Sequence, residues 1–292
     1  MFGDWHIGVV VPAKNEERHI GKVLEDMPAI VDNVVVVDDG SNDNTAKLAA
    51  SAEIVTLDGQ GVGAAIDAGH RKMLEIMERP FISVVMAGDG QMDPNDMEKL
   101  LQPIIDGKSH HVKGERFDRN KKMPFIRKIG TMILGFLTTL ACGQKIRDPQ
   151  CGYTATSFEV LEEWNWNKSW KGYGYPNWWL MNLTMEGYHI ADAPVKAIYD
   201  GQKSGLKIIP FFAKVSVMLL IGLHYRLFKW IPGVIMAHPI PIGIIMLYAF
   251  GWIGIIYSIQ YNPLMLIGVL ICWWACHRLD RILVEVMRRP LS

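Results

Sequence analysis

The sequence predicts an α/β fold with a mostly parallel central sheet, followed by an apolar C-terminal part. Three observations predict it. Short β-branched runs alternate with helical patterns through residues 1–115. Those runs are near-continuously apolar rather than alternating, as in strands covered on both faces. From Trp230 through His277, 48 residues carry no Asp, Glu, Lys or Arg.

The elements follow in order. "HIGVVVP" (His6–Pro12), "NVVVVD" (Asn33–Asp38), "EIVTL" (Glu53–Leu57), "FISVVM" (Phe81–Met86) and "HHVKG" (His110–Gly114) read as five strands. Helical patterns fill the gaps: Glu16–Met27, "NTAKLAASA", Gly63–Glu78 and Pro94–Ile105. The last of these has Asp93 as N-cap and Pro94 at the first helical position. "RKIGTMILGFLTTLACG" (Arg127–Gly143) reads as an apolar helix with a basic start. "DPQCGYTA" (Asp148–Ala155) reads as a turn entering a strand, and "HIADAPV" (His189–Val195) as a further strand. "WNWNKSWKGYGYPNWW" (Trp164–Trp179) reads as an aromatic loop, and "DGQKSGLK" (Asp200–Lys207) as a basic one.

The C-terminal part fits a bilayer. A span needs about 20 apolar residues, so the uncharged stretch holds two, at roughly 235–258 and 263–280, with the turn "QYNP" between them. Residues 208–232 are apolar with spaced cations, which suits helices lying in the membrane interface. The expected division is a globular domain over 1–207, interfacial helices over 208–232, and two spans with a short tail over 233–292. Arg226, Lys229, Arg278, Arg281, Arg288 and Arg289 all flank the pair on one side, which places both termini and the globular domain in the cytoplasm. The interfacial helices offer a surface for homo-oligomerisation. Hydrophobic residues make up 50% of the chain and mean hydropathy is +0.12, too apolar for an ordinary soluble protein. Zero net charge gives no bulk attraction to nucleic acid. The four cysteines lack metal-ligand spacing and read as buried small hydrophobes.

In parallel sheets, ligands bind beyond the carboxyl ends of the strands, and here the polar residues cluster at those ends. Strand one ends in Pro12, Ala13, Lys14, Asn15 and Glu16, and strand two in "DDGSNDNT". Strand four ends in "AGDGQMDP", and strand five in "GERF". Asp89 and Gln91 supply hard oxygen donors suited to Mg2+ or Mn2+ completed by substrate phosphates. Gly88 and Gly90 let a ligand approach the backbone. Asp38 or Asp39 can accept from a ribose or a base edge. "GQGVGA" (Gly59–Ala64) matches a dinucleotide fingerprint in letters only. It follows the third strand, and the first acid closing the next strand is 30 residues on. Gly61 therefore belongs to a helix start that touches a nucleotide donor or simply packs closely.

With these pieces in order, from "VVVPAKNEE" through "VVVVDDGSNDNT", "GQGVGAAIDAG", "AGDGQMDP", "GERF", "MPFIRKIG", "DPQCGYTA" and "DGQKSG" to the paired apolar segments, the chain resembles the family 2 glycosyltransferases of GT-A fold. Within them it is similar to the polyprenol- and dolichol-phosphate glycosyltransferases. The resemblance implies a nucleotide-sugar donor, a divalent cation, a polyprenyl or dolichyl phosphate acceptor, and inversion at the anomeric carbon. It implies that Pro12, Ala13, Asn15, Glu16 and Asp39 line the nucleotide site, and that Asp89 and Gln91 hold the metal on the diphosphate. It also implies that Arg116 and Arg127 face phosphates and that Lys203 sits in a basic loop closing over the site. The family often reads D-x-D-x-Q where this chain has Ala87 in the first Asp position. A phosphate acceptor has its second pKa near about 6 and is already anionic at neutral pH, so a dedicated base is dispensable; Asp148 is the one candidate. Two alternatives stay open: a processive polysaccharide synthase, whose Q-x-x-R-W motif is met here only by "QKIRD", and a catalytically silent scaffold for a flippase or transferase partner. UDP and GDP are not separated.

Overall fold

The computed structural model describes residues 2–116, 125–198, 208–229 and 240–291. Seven strands form one sheet: β1 His6–Ala13, β2 Asn33–Asp39, β3 Glu53–Leu57, β4 Phe81–Val85, β5 His111–Arg116, β6 Thr154–Ser157 and β7 Ile190–Val195. Their order is β3-β2-β1-β4-β6-β5-β7, and all pairs are parallel except those made by β6. The order reverses between β1 and β4, so the crevice outside their carboxyl ends is the topological switch point.

Helices cover both faces. On one face, α1 (Ile20–Glu25) and α4 (Met97–Ile105) bury Ile20, Leu100, Leu101 and Ile104 against Val9, Val11 and Val84. On the other, α3 (Val62–Ile76), α6 (Phe158–Glu163) and α7 (Tyr175–Met185) bury Ile66, Met73, Val160 and Trp179 against Val10, Val35 and Val85. α2 (Thr45–Leu48) is a single turn, far shorter than the sequence pattern suggests.

One sequence expectation needs correction. The stretch Trp164–Trp179 is not all loop: Tyr175 opens α7, with Gly174 at φ 97° before it and Pro176 in its first turn. α7 is buried on most sides, so it shows no apolar stripe of 3.6-residue period for a sequence reading to find. β6 runs antiparallel to its neighbours. The turn before it, Asp148–Tyr153, therefore lies at the carboxyl ends of the parallel strands.

α5 (Phe125–Cys142) and α8 (Ile208–Lys229) pack side by side with α7 through Leu134, Met181, Val215 and Leu219. Each follows a strand that ends at the rim, β5 and β7 respectively. Both leave apolar stripes exposed: Ile129, Met132, Ile133 and Phe136 on α5, and Val217, Leu220, Ile221, Tyr225 and Phe228 on α8. The spacing of three and four residues places each set on one helix face.

α9 (Ile240–Gln260) and α10 (Met265–Val286) form a hairpin that exposes large apolar side chains, including Phe250, Ile253, Ile256, Ile267, Leu270 and Trp274. Among the described residues, the helices long and apolar enough to cross a membrane are Ile209–Arg226 and Ile240–Gln260. α10 carries Arg278, Asp280 and Arg281 in its second half. There Asp280 meets Arg226 of α8 at 2.5 Å, both side chains buried, and Arg226 also donates to the Leu140 carbonyl of α5 at 2.9 Å. One ion pair thus ties the hairpin to α5 and α8. Such a pair holds its partners together chiefly because losing one strands the other as an unpaired buried charge.

Candidate functional site

The rim at the switch point is built by hydrogen bonds between loops. The β4 extension lies along β1: Met86 N donates to Val10 O at 3.0 Å and Gly88 N to Pro12 O at 3.1 Å. Asn15 sits at φ 58°, an αL conformation that asparagine tolerates. Its amide nitrogen donates to Ser41 Oγ at 2.9 Å, and its side-chain oxygen accepts from Asn42 N at 2.8 Å. Glu16 N donates to Thr45 Oγ1 at 2.7 Å. These bonds clamp the "AKNE" and "DDGSNDNT" loops into one wall, with Asp38 accepting from Ser41 N at 3.0 Å inside it. Pro12, Ala13, Asn15, Glu16, Asp38, Gly88, Asp89, Gly90 and Gln91 are thereby brought together.

Asp89 sits on a tight turn, with Gly90 at φ 72° and Gln91 N donating to Asp89 Oδ1 at 3.0 Å. Burial pushes its carboxyl above the usual carboxylate range. Glu16 is also raised, by burial and by the charge of Asp89, against the lowering effect of its 3.0 Å contact with His19. A buried carboxylate at a rim of oxygen donors, with a second carboxyl raised by its charge, gains from a bound cation, so the residues fit Mg2+ or Mn2+. Among the described residues no three His, Cys, Asp or Glu converge on one point. A cation here would need ligand oxygens to complete its donors. His19 was not evident from sequence as part of this cluster, since it reads only as the start of a helix.

The Asp89 turn is also stitched to the end of β7. Ile198 N donates to Gln91 O at 3.0 Å, Met92 bridges Ala197, and Lys196 N donates to the buried Asp96 at 2.6 Å. Lys203 lies outside the described residues. Arg127 falls in the first turn of α5, with its side chain outside them.

Asp39 and Gly61 are both engaged by protein groups. Both oxygens of Asp39 accept from the loop after β3, from Gln60 N at 2.6 Å and Gly61 N at 2.8 Å. Asp39 therefore shapes the wall and does not simply present its carboxylate. Gly61 has φ 100°, and a Cβ there would stand 2.5 Å from the Lys171 carbonyl. A Cβ on Gly63 would stand 1.9 Å from Trp170 O. The start of α3 is sealed by the 165–174 segment, so of the two sequence readings of "GQGVGA", close packing is the one observed.

At the other end of the rim, Arg116 and Asp148 form a bidentate pair: Nε to Oδ2 at 2.7 Å and Nη2 to Oδ1 at 2.9 Å, with Arg116 N adding a third bond to Oδ2. Asp148 is buried and sits at φ 39°. A carboxylate so engaged orients an arginine and is badly placed to take a proton, which counts against Asp148, the one candidate base of the sequence. Beneath it lies a residue absent from the sequence reading. Lys113, fully buried, pairs with Asp192 at 2.8 Å and donates to the carbonyls of Arg147 and Asp148. It thereby fixes the turn that holds Arg116. From Asp39 to Arg116 the row crosses four strand spacings, roughly 20 Å.

Asp67 of α3 supports the wall from behind, bonded to Ser169, with its other oxygen buried. Burial raises its pKa to about 6. A carboxyl whose folded pKa lies above its unfolded value costs stability once ionised. Stability should therefore fall as pH rises from about 4 to about 6 and stay level above. Asp67→Asn should abolish that fall, gaining about 1–3 kcal/mol at pH 8 relative to pH 4.5, as read by urea unfolding at the two pH values.

Residues 8–164 match the family model described as glycosyl transferase family 2. A UDP-N-acetylglucosamine–dolichyl-phosphate N-acetylglucosaminyltransferase of Methanococcus voltae is 30% identical over 222 residues, 68% of this chain and 88% of that protein. A dolichyl-phosphate hexose transferase of Haloferax volcanii is 29% identical over 216 residues, 72% and 90% of the two chains. Among solved structures, glucosyl-3-phosphoglycerate synthase of Mycobacterium tuberculosis, in complex with Mn2+, UDP-glucose and phosphoglyceric acid, shares the fold. Its TM-score is 0.56 at 21% identity, covering 76% of this chain and 79% of the other.

Proposed function

The chain belongs to glycosyl transferase family 2 and is a glycosyltransferase; from that premise we propose that it moves a sugar from a nucleotide-sugar donor to a polyprenyl or dolichyl phosphate at a membrane surface, with inversion. The observation that carries this reading is the placement of α5 and α8. Both helices follow rim strands in the chain and expose apolar stripes, and α5 reaches the rim turn through Thr138, Asn177 and Gln150, so a bilayer against the stripes would lie near Arg116. The dolichyl-phosphate relatives support the same acceptor class.

In this reading the nucleotide lies along Pro12, Ala13, Asn15, Glu16 and the wall shaped by Asp38 and Asp39. Asp89 and Gln91 hold the cation, Mg2+ or Mn2+, which when bound neutralises charge on the leaving diphosphate. Arg116, held rigid by Asp148, faces the acceptor phosphate. Its fixed fork suits phosphate oxygens and aligns the attacking oxygen without consuming a proton. The acceptor is anionic at neutral pH, so no protein base is required. The globular domain lies on the cytoplasmic side, with the hairpin in the bilayer and Arg278, Arg281, Arg288 and Arg289 at its cytoplasmic end.

The test is direct. Purified protein with Mn2+, a panel of UDP- and GDP-sugars, and dolichyl or undecaprenyl phosphate should yield one mono-glycosylated lipid. Product should vanish with EDTA and return with Mn2+. Glycolipid from no donor would overturn the reading, and extended polymer would replace it with a processive synthase.

A further inference from the structure

The 165–174 segment is a junction among three elements. Toward α3, the Lys171 carbonyl accepts from Gly63 N at 2.9 Å and Ala64 N at 3.3 Å, and Ser169 bonds Asp67. Toward α7, Trp170 stacks on Trp178 at 5.9 Å, and Trp178 Nε1 donates to Lys168 O at 2.8 Å. Toward α8, Lys214 Nζ stands 5.0 Å from the centre of the Trp170 ring, and Gly174 packs so closely on Val215 that a Cβ would reach 2.8 Å.

These contacts form a short physical chain. The first turn of α3 is held by Lys171. The two residues just before that turn, Gln60 and Gly61, donate the amide hydrogens that hold both oxygens of Asp39. Shifting Trp170 moves Lys171, and with it the amides that fix Asp39 in the nucleotide wall. Lys214 lies three and seven residues before Val217 and Ile221, on the stripe face of α8. Its ammonium reaches back to Trp170.

We infer that Trp170 and Lys214 are positioning residues for the nucleotide pocket, acting through the Lys171 carbonyl and the first turn of α3. The inference rests on the nucleotide reading of the Asp39 wall proposed above. It adds that the apolar helix α8 and donor affinity are linked through one cation–aromatic contact.

The test titrates UDP and GDP, with Mn2+, into the full-length protein in lipid nanodiscs by calorimetry, and measures donor and acceptor kinetics in parallel. Lys214→Gln should weaken binding of the preferred nucleotide about two- to fivefold, the size of an exposed cation–π contact. Donor KM should rise by the same factor, with kcat and acceptor KM unchanged. Lys214→Arg, which keeps the cation over the ring, should match wild type, and Trp170→Leu should exceed Lys214→Gln. If Trp170→Leu fails to fold, the exposed Lys214 pair decides alone. Wild-type affinity in Lys214→Gln at an unchanged melting temperature overturns the inference while leaving the site reading intact. A wild-type protein that binds neither nucleotide overturns the site reading and this inference with it.

Discussion

Asp89→Asn is expected to lower kcat by about 10²–10³-fold, the scale of losing a preorganised charge-stabilising group, with melting temperature unchanged or slightly raised. The two halves of this prediction have separate causes. Asparagine keeps an oxygen that can accept from Gln91 N, so the turn survives. It removes a carboxylate whose ionised form is penalised by burial, which cannot harm the fold at neutral pH. What it loses is anionic charge at the cation site, and with Ala87 in the neighbouring donor position no second carboxylate on this turn takes over. Steady-state kinetics against Mn2+ concentration, with a melting curve for each preparation, checks both halves. Turnover within threefold of wild type would rule Asp89 out as a ligand.

The second large effect concerns stability. Arg116→Met should destabilise the domain by about 3 kcal/mol, because it leaves the Asp148 carboxylate buried without its bidentate partner. Asp148→Asn should cost less, since the partly exposed guanidinium can turn to solvent. The double variant should cost clearly less than the sum, as in any cycle across a contacting pair. Kinetics separates the two roles open to Asp148. As a positioning residue, its loss lowers kcat about tenfold or less and leaves the pH profile in place. A general base contributes about 10²–10⁴-fold and takes the acidic limb of the profile with it. The third bond, from Arg116 N, argues for positioning.

The sequence discloses the frame of this molecule through its β-branched runs. β1 to β5 and β7 each coincide with an apolar run, and their boundaries move by one or two residues. The polar loops were legible for the same reason: carboxylates and glycines directly after buried strands have no packing role. What sequence does not disclose is pairing across distance. Nothing in "GQGVGA" reveals that Lys171, more than a hundred residues on, caps its helix. Nothing in "HVKG" reveals that Lys113 is buried against Asp192 and the Arg147–Asp148 carbonyls. The reversed direction of β6 was hidden too, because a four-residue strand looks the same either way. That direction puts Asp148 at the rim beside Arg116.

The hairpin departs from and rejoins the globular part at a single turn. Lys229, the last residue of α8, pairs with the Glu186 carboxylate at 2.5 Å. Beyond α10, Arg289 donates through Nε to the Glu186 carbonyl at 2.8 Å and through its backbone amide to Gly187 O at 2.9 Å. The greasy excursion is thus a detour with adjacent exits. A short Gly-Ser bridge from Lys229 to Met287 would replace it at a small closure entropy, with Arg226→Met to neutralise the orphaned cation. Such a miniaturised form would separate sugar transfer from bilayer residence and let short-chain, water-dispersed acceptors stand in for the native lipid.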